Sequence, residues 1–176
     1  MAISIVLPAT AHAMDRYRTT HIEVLEDKIR AGDPKAMLEL GNHYYWGSGL
    51  RQDFRKAYDW WLRAASSGLP EAEHGIGLLY LTGRGIDQDY AYAMEWLQKA
   101  ASHGYAPSYH FIGTMYLEGL GVKPDIKQAF EWYKRGADRE DAEALFASAL
   151  ARLGDSRKTE GPEAARALVA RGVLRA

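Results

Sequence analysis

Between Gly32 and Arg139 the chain repeats itself three times with a spacing of 36 residues, and this periodicity restricts the fold more than any other feature. The copies share Leu40-Gly41, Ile76-Gly77 and Ile112-Gly113, followed four residues after the first member of each pair by Tyr44, Tyr80 and Tyr116. A glycine pair comes next in every copy: Gly47/Gly49, Gly83/Gly85 and Gly119/Gly121. Leu50, Ile86 or Val122 follows, then Asp53, Asp89 or Asp125. The second half of each copy carries Ala57, Ala93 or Ala129, then Trp60, Trp96 or Trp132, and closes on Ala64-Ala65, Ala100-Ala101 or Gly136-Ala137. So dense a match at constant phase is the mark of a solenoid, in which each unit buries its apolar face against its neighbours.

Each copy reads as two helices. Asp33 caps the first, with Pro34 in the opening turn where its missing amide hydrogen costs nothing; Pro70 holds the same place and Pro107 stands one residue later. The first helices present Ala36, Leu40, His43 and Tyr44 inward, then Ala72, Ile76, Leu79 and Tyr80, then Ser108, Ile112, Met115 and Tyr116. Gly41, Gly77 and Gly113 fall inside these helices, where glycine costs about 1 kcal/mol relative to alanine. A cost repeated at one phase implies close helix contact there. Leu50, Ile86 and Val122 anchor the glycine loops, and Asp53, Asp89 and Asp125 cap second helices expected near residues 54–66, 90–102 and 126–137. The recurring tryptophans at helical spacing are expected in the core.

The flanks complete the stack. A helix from about His21 to Ala31, capped by Thr20, puts Ile22, Leu25 and Ile29 on one face to cover the first repeat. After Arg139 a degenerate fourth pair is expected, with helices near residues 140–153 and 162–171. The expected organisation is therefore a lead-in and capping helix over 14–31, repeats over 32–67, 68–103 and 104–139, and a C-terminal cap over 140–176. Residues 1–13 read as a signal peptide: Ala2 to Pro8 is apolar, and Ala11-His12-Ala13 has the small-x-small form cleaved before Met14. The basic segment that normally opens such a signal is missing, as it would be if the start were set too late. An exported, periplasmic protein is expected on that reading, and a cytoplasmic one otherwise.

Composition removes several chemistries. The 176 residues contain no cysteine, which excludes disulfides, thiolate catalysis and cysteine-bound zinc. A net charge of -1 and the lack of a basic stripe in the repeats argue against a nucleic-acid partner. No run of 18 apolar residues suggests a spanning helix. The glycine loops lack the preceding strand and the lysine of a phosphate-binding loop, so no cofactor is expected. No nucleophile elbow, HExxH or convergent carboxylate pair is legible either, which makes an enzyme the least supported class.

The series Ala72-x-x-x-Ile76-Gly77-x-x-Tyr80-x-x-Gly83-x-Gly85-Ile86-x-x-Asp89-x-x-x-Ala93-x-x-Trp96-x-x-x-Ala100-Ala101 closely resembles the Sel1-like repeat, a relative of the tetratricopeptide repeat. The same series runs from Ala36 and from Ser108, with Ser108 and Gly136 as departures. The resemblance implies an all-α fold, a right-handed α/α superhelical solenoid of helix pairs whose first helices line a concave surface. It also implies an adaptor, scaffold or inhibitor without catalysis. Some exported members of the family neutralise toxic effectors, phospholipases among them, and others serve envelope assembly or signalling.

By the same resemblance, the concave row consists of Leu38, Asn42, Tyr45 and Trp46, then His74, Leu78 and Thr82, then His110, Thr114 and Glu118. Lys35, Glu71, Leu81, Leu117 and Phe146 extend it. This row is expected to bind a protein or peptide, with a secreted effector enzyme as the narrower candidate; oligomeric state is left open. Tyr45 and Trp46 have the makeup of a binding hot spot, although Trp46 could instead pack on the neighbouring loop and Tyr45 shield the helix end. His74 and His110 occupy equivalent positions and read most simply as half-buried histidines. A metal there would need a third ligand such as Glu118 or Asp89, and none is expected. His43, at the phase of Leu79 and Met115, reads as a core histidine with one hydrogen bond.

Overall fold

The computed structural model describes residues 21–136. The expected signal segment with its cleavage point, the Thr20 cap, the fourth helix pair and Phe146 lie outside the described residues. Among the described residues the secondary structure is helical: α1 (residues 21–30), α2 (Pro34–Trp46), α3 (Phe54–Ala65), α4 (Pro70–Thr82), α5 (Tyr90–Ser102), α6 (Ala106–Glu118) and α7 (Ile126–Gly136).

The local rules that set these helices recur at the repeat period. Asp53, Asp89 and Asp125 turn their carboxylates onto the free amides of the following helix, at 2.9–3.0 Å, while their own amides donate to the carbonyls of Tyr44, Tyr80 and Tyr116. One aspartate thus closes the loop and opens the next helix. At the other end, α2, α4 and α6 stop on Gly47, Gly83 and Gly119, each left-handed with φ near +70°. The second glycine of each loop has a different duty. A Cβ on Gly85 would press on Phe54 and the backbone of Arg55, and one on Gly121 would press on Tyr90, so the second and third loops rest directly on the preceding repeat.

Packing follows chain order. α2 pairs with α3, α4 with α5 and α6 with α7, while α3 lies on α4 and α5 on α6. The result is an all-α solenoid of paired helices. Ala57, Ala64, Ala93, Ala100 and Ala129 are fully buried and let the helices approach, and Leu25 of α1 is buried between half-buried Ile22 and Ile29.

The tryptophan expectation needs correction. Trp60, Trp96 and Trp132 do occupy equivalent places, but they are half-buried, each with a cation from one turn later over its ring: Arg63 at 4.7 Å, Lys99 at 4.9 Å and Arg135 at 4.8 Å. The deep position is the next residue, Trp61, Leu97 or Tyr133. These are the side chains for which Gly41, Gly77 and Gly113 leave room, since a Cβ on any of the three glycines would fall closer than 3.0 Å to its partner.

Candidate functional site

The first helices α2, α4 and α6 carry the row singled out from sequence, and the structure divides it into two groups. Trp46, Thr82 and Glu118 end the three helices at equivalent places and are all exposed, with Trp46 at 70%. Trp46 meets Tyr45 edge-on at 4.7 Å, and Tyr45 in turn packs on Phe54 and Trp61. Arg84, in the loop after α4, reaches the Tyr45 hydroxyl at 3.5 Å and lies 5.6 Å from the Phe54 ring. Tyr45 therefore shields the helix end and supports Trp46, whose indole is left to solvent.

Most of the remaining row residues are buried or half-buried in the stack, whereas Lys35, Asn42 and Glu71 are exposed. Asn42 accepts a hydrogen bond from Trp61 Nε1 at 3.0 Å, and Thr114 bonds the Tyr133 hydroxyl at 3.0 Å. The middle repeat has the apolar pair Leu78 and Leu97 at these two positions, so polarity is matched repeat by repeat. Leu38 packs against the core cluster of the first two repeats, Leu78 is half-buried, and Thr82 bonds the carbonyl of Leu78.

The histidines differ from what their shared phase suggested. His74 is only 8% exposed, its Nδ1 is 2.9 Å from the Ser108 hydroxyl of the next repeat, and its ring lies between Tyr105 and Phe111. Burial lowers its pKa to about 4. It ties α4 to α6 and offers little surface to a partner. His110 is half-buried against Phe111 and Tyr133, and burial lowers its pKa as well. The Phe111 ring touches both histidines, 5.3 Å from His74 and 5.5 Å from His110.

Two features went unread in the sequence. Glu73 is fully buried, yet its carboxylate meets Lys99 at 3.1 Å and His103 at 2.8 Å, joining α4 to the end of α5. On the loop edge, a cleft of about 400 Å³ between Tyr58, Tyr80, Tyr92 and Asp87 recurs one repeat earlier as a cleft of about 470 Å³ between Tyr44, Arg51 and Lys56. Tyr58 and Tyr80 share a hydrogen bond at 3.2 Å there, and that bond, with burial, pushes the Tyr80 pKa up to about 12. The signal for the first was present as repeat-to-repeat substitution: Glu73 stands where the other copies have Met37 and Tyr109.

Comparison with known proteins places this geometry. The family model described as Sel1 repeat matches residues 34–69, 70–105 and 106–141, each window opening on the first residue of α2, α4 or α6. A solved Sel1 repeat protein from Oxalobacter formigenes is 34% identical, with a TM-score of 0.69, over 78% of this chain and 56% of that one. A protective antigen present in uropathogenic Escherichia coli strains is 30% identical, with a TM-score of 0.63, over 86% of this chain and 36% of that one. An ERAD-associated E3 ubiquitin-protein ligase component, HRD3A of Arabidopsis thaliana, is 41% identical over 49 residues, which are 27% of this chain and 7% of that protein. The chain spans about half the length of the first of these structures and a smaller share of the other two proteins.

Proposed function

Because the chain belongs to the Sel1 repeat family, whose fold is typical of protein-protein interaction modules, we propose that it is a non-catalytic module that grips a protein or peptide along α2, α4 and α6. The observation that carries this reading is Trp46: a large apolar side chain, 70% exposed, at the end of a helix whose other aromatic residues are packed. Exposed tryptophan backed by a rigid tyrosine provides contact area at small entropic cost, which is how interface hot spots are built. Thr82 and Glu118 repeat its position 36 and 72 residues on, so a partner following the stack meets one helix end per repeat.

The narrower form of the proposal is a periplasmic inhibitor of a secreted toxic effector such as a phospholipase. The apolar stretch Ala2 to Pro8 and Ala11-His12-Ala13 support export, and inhibition would follow if the gripped partner were the effector itself. The alternative is an assembly scaffold or adaptor, favoured by similarity to a protein that is itself a ligase component. Fold alone does not separate the two.

Site-specific photo-crosslinking in the native cell tests the proposal. A photoreactive residue at Trp46, Thr82 or Glu118 is expected to give one discrete protein adduct, while the same residue at Arg63 or Gln98 gives none. Equal labelling from both sets, or no adduct from the first, would refute the assigned surface. Mass spectrometry of the adduct then separates an effector from an assembly partner.

A further inference from the structure

α1 has the phase of a second helix of a preceding repeat: Leu25 stands 36 residues before Trp61, and His21 stands 36 before Ala57. Elsewhere in the stack the positions around that contact are apolar or small. Ala57, Ala93 and Ala129 are fully buried, as are Leu79 and Met115 at the phase of His43. Gly75 and Phe111 stand at the phase of Glu39. Only at the α1/α2 junction are all three positions occupied by metal-ligating types: His21, Glu39 and His43.

Their geometry is that of a ligand set. One donor atom from each residue lies within 4.8 Å of the others, and His21 Nε2 is hydrogen-bonded to Glu39 Oε1 at 2.9 Å, a few tenths of an ångström closer than adjacent ligands on a tetrahedral zinc. The His21 and His43 rings approach edge to face at 5.5 Å. Glu39 and His43 are one turn apart on α2, so a single helix face fixes two of the three groups. Nδ1 of His43 donates to the carbonyl of Ser48, which leaves the lone pair on Nε2 and holds the ring in place. That is the arrangement by which metal-binding imidazoles are usually oriented. The side chains of His21 and Glu39 are 37% and 47% exposed, so an ion can enter and a water can complete the shell.

We propose that His21, Glu39 and His43 form a binding site for a divalent transition metal, with Zn²⁺ as the best match to two imidazoles and one carboxylate. The ion would clamp α1 onto the first repeat, at a junction where the other repeats use apolar packing. The site is independent of the partner surface, since no residue is shared with it.

Calorimetric titration of tag-free full chain with Zn²⁺ tests the site. The expected result is saturable binding of one ion per chain and a thermal midpoint raised by several degrees at Zn²⁺ roughly 100-fold above the dissociation constant. Chelator should reverse the rise. His43→Leu, which installs the residue the second repeat already carries, and the isosteric Glu39→Gln should each weaken Zn²⁺ binding at least about tenfold. Their midpoints without metal should stay close to that of the parent chain. Absence of stoichiometric binding to the parent, or binding unchanged in both variants, would overturn the site and leave the three residues as a hydrogen-bonded cluster.

Discussion

Gly75 of α4 makes room for Trp61 of α3: a Cβ on this glycine would stand 2.7 Å from the indole, which is held from its other side by Gly41. One residue thus locks two consecutive repeats. At the next junction the sizes are exchanged, with Leu97 at the phase of Trp61 and Phe111 at the phase of Gly75, packed against the same cluster as Leu97.

This exchange can be tested as a swap. Gly75→Phe alone should destabilise by roughly 2 kcal/mol or more through overpacking, and Trp61→Leu alone by about 2–4 kcal/mol through the cavity it leaves. The double variant reproduces the second junction and should recover a large part of the loss. Denaturant unfolding of the four proteins measures the coupling; additive costs would contradict the match.

His74 gives a pH signature. Its pKa of about 4 in the folded chain lies below the ordinary 6.5, so between these values the unfolded chain binds a proton that the folded one does not. Stability should therefore fall as pH drops through that window, by about 1–2 kcal/mol from pH 7 to pH 5. His74→Leu places there the residue that the first repeat has in Leu38, and it should flatten this part of the stability profile. A slope unchanged by the substitution would remove His74 as its source.

The Glu73 carboxylate is fully buried while Lys99 is half exposed, so the two partners should not be equivalent. Lys99→Met leaves the carboxylate with His103 alone and should cost roughly 1–3 kcal/mol. Glu73→Met, which copies Met37, should cost less, and adding it to Lys99→Met should restore stability rather than lower it further. Thermal or denaturant melts of the three variants decide this.

The fold was legible because it rests on repetition: the Asp53, Asp89 and Asp125 caps, the glycine turns and the helix limits all follow from local rules applied at one phase. The deep core was read one residue early. Trp60, Trp96 and Trp132 are identical in every copy, whereas the buried residues Trp61, Leu97 and Tyr133 differ, so identity pointed away from the position that packing adjusts. Of the candidate row, part of its placement on the helices was legible. Helical phase placed Trp46, Thr82 and Glu118 correctly at equivalent helix ends, but it could not reveal that Asn42 and Thr114 spend their polar groups on Trp61 and Tyr133. Nor could it reveal the burial of His74, which depends on Tyr105 and Phe111 from the next repeat. The His21, Glu39 and His43 cluster escaped because its members come from two helices and are polar only at that junction.

The most direct measurement of the central claim is the affinity of the crosslinked partner, once purified, for surface variants of equal helicity by circular dichroism. Trp46→Glu should raise the dissociation constant at least about tenfold, the loss of a single hot-spot anchor, while Gln98→Glu leaves it within roughly twofold. Equal affinities for the two variants would contradict the assignment of the α2, α4 and α6 row as the surface that holds the partner.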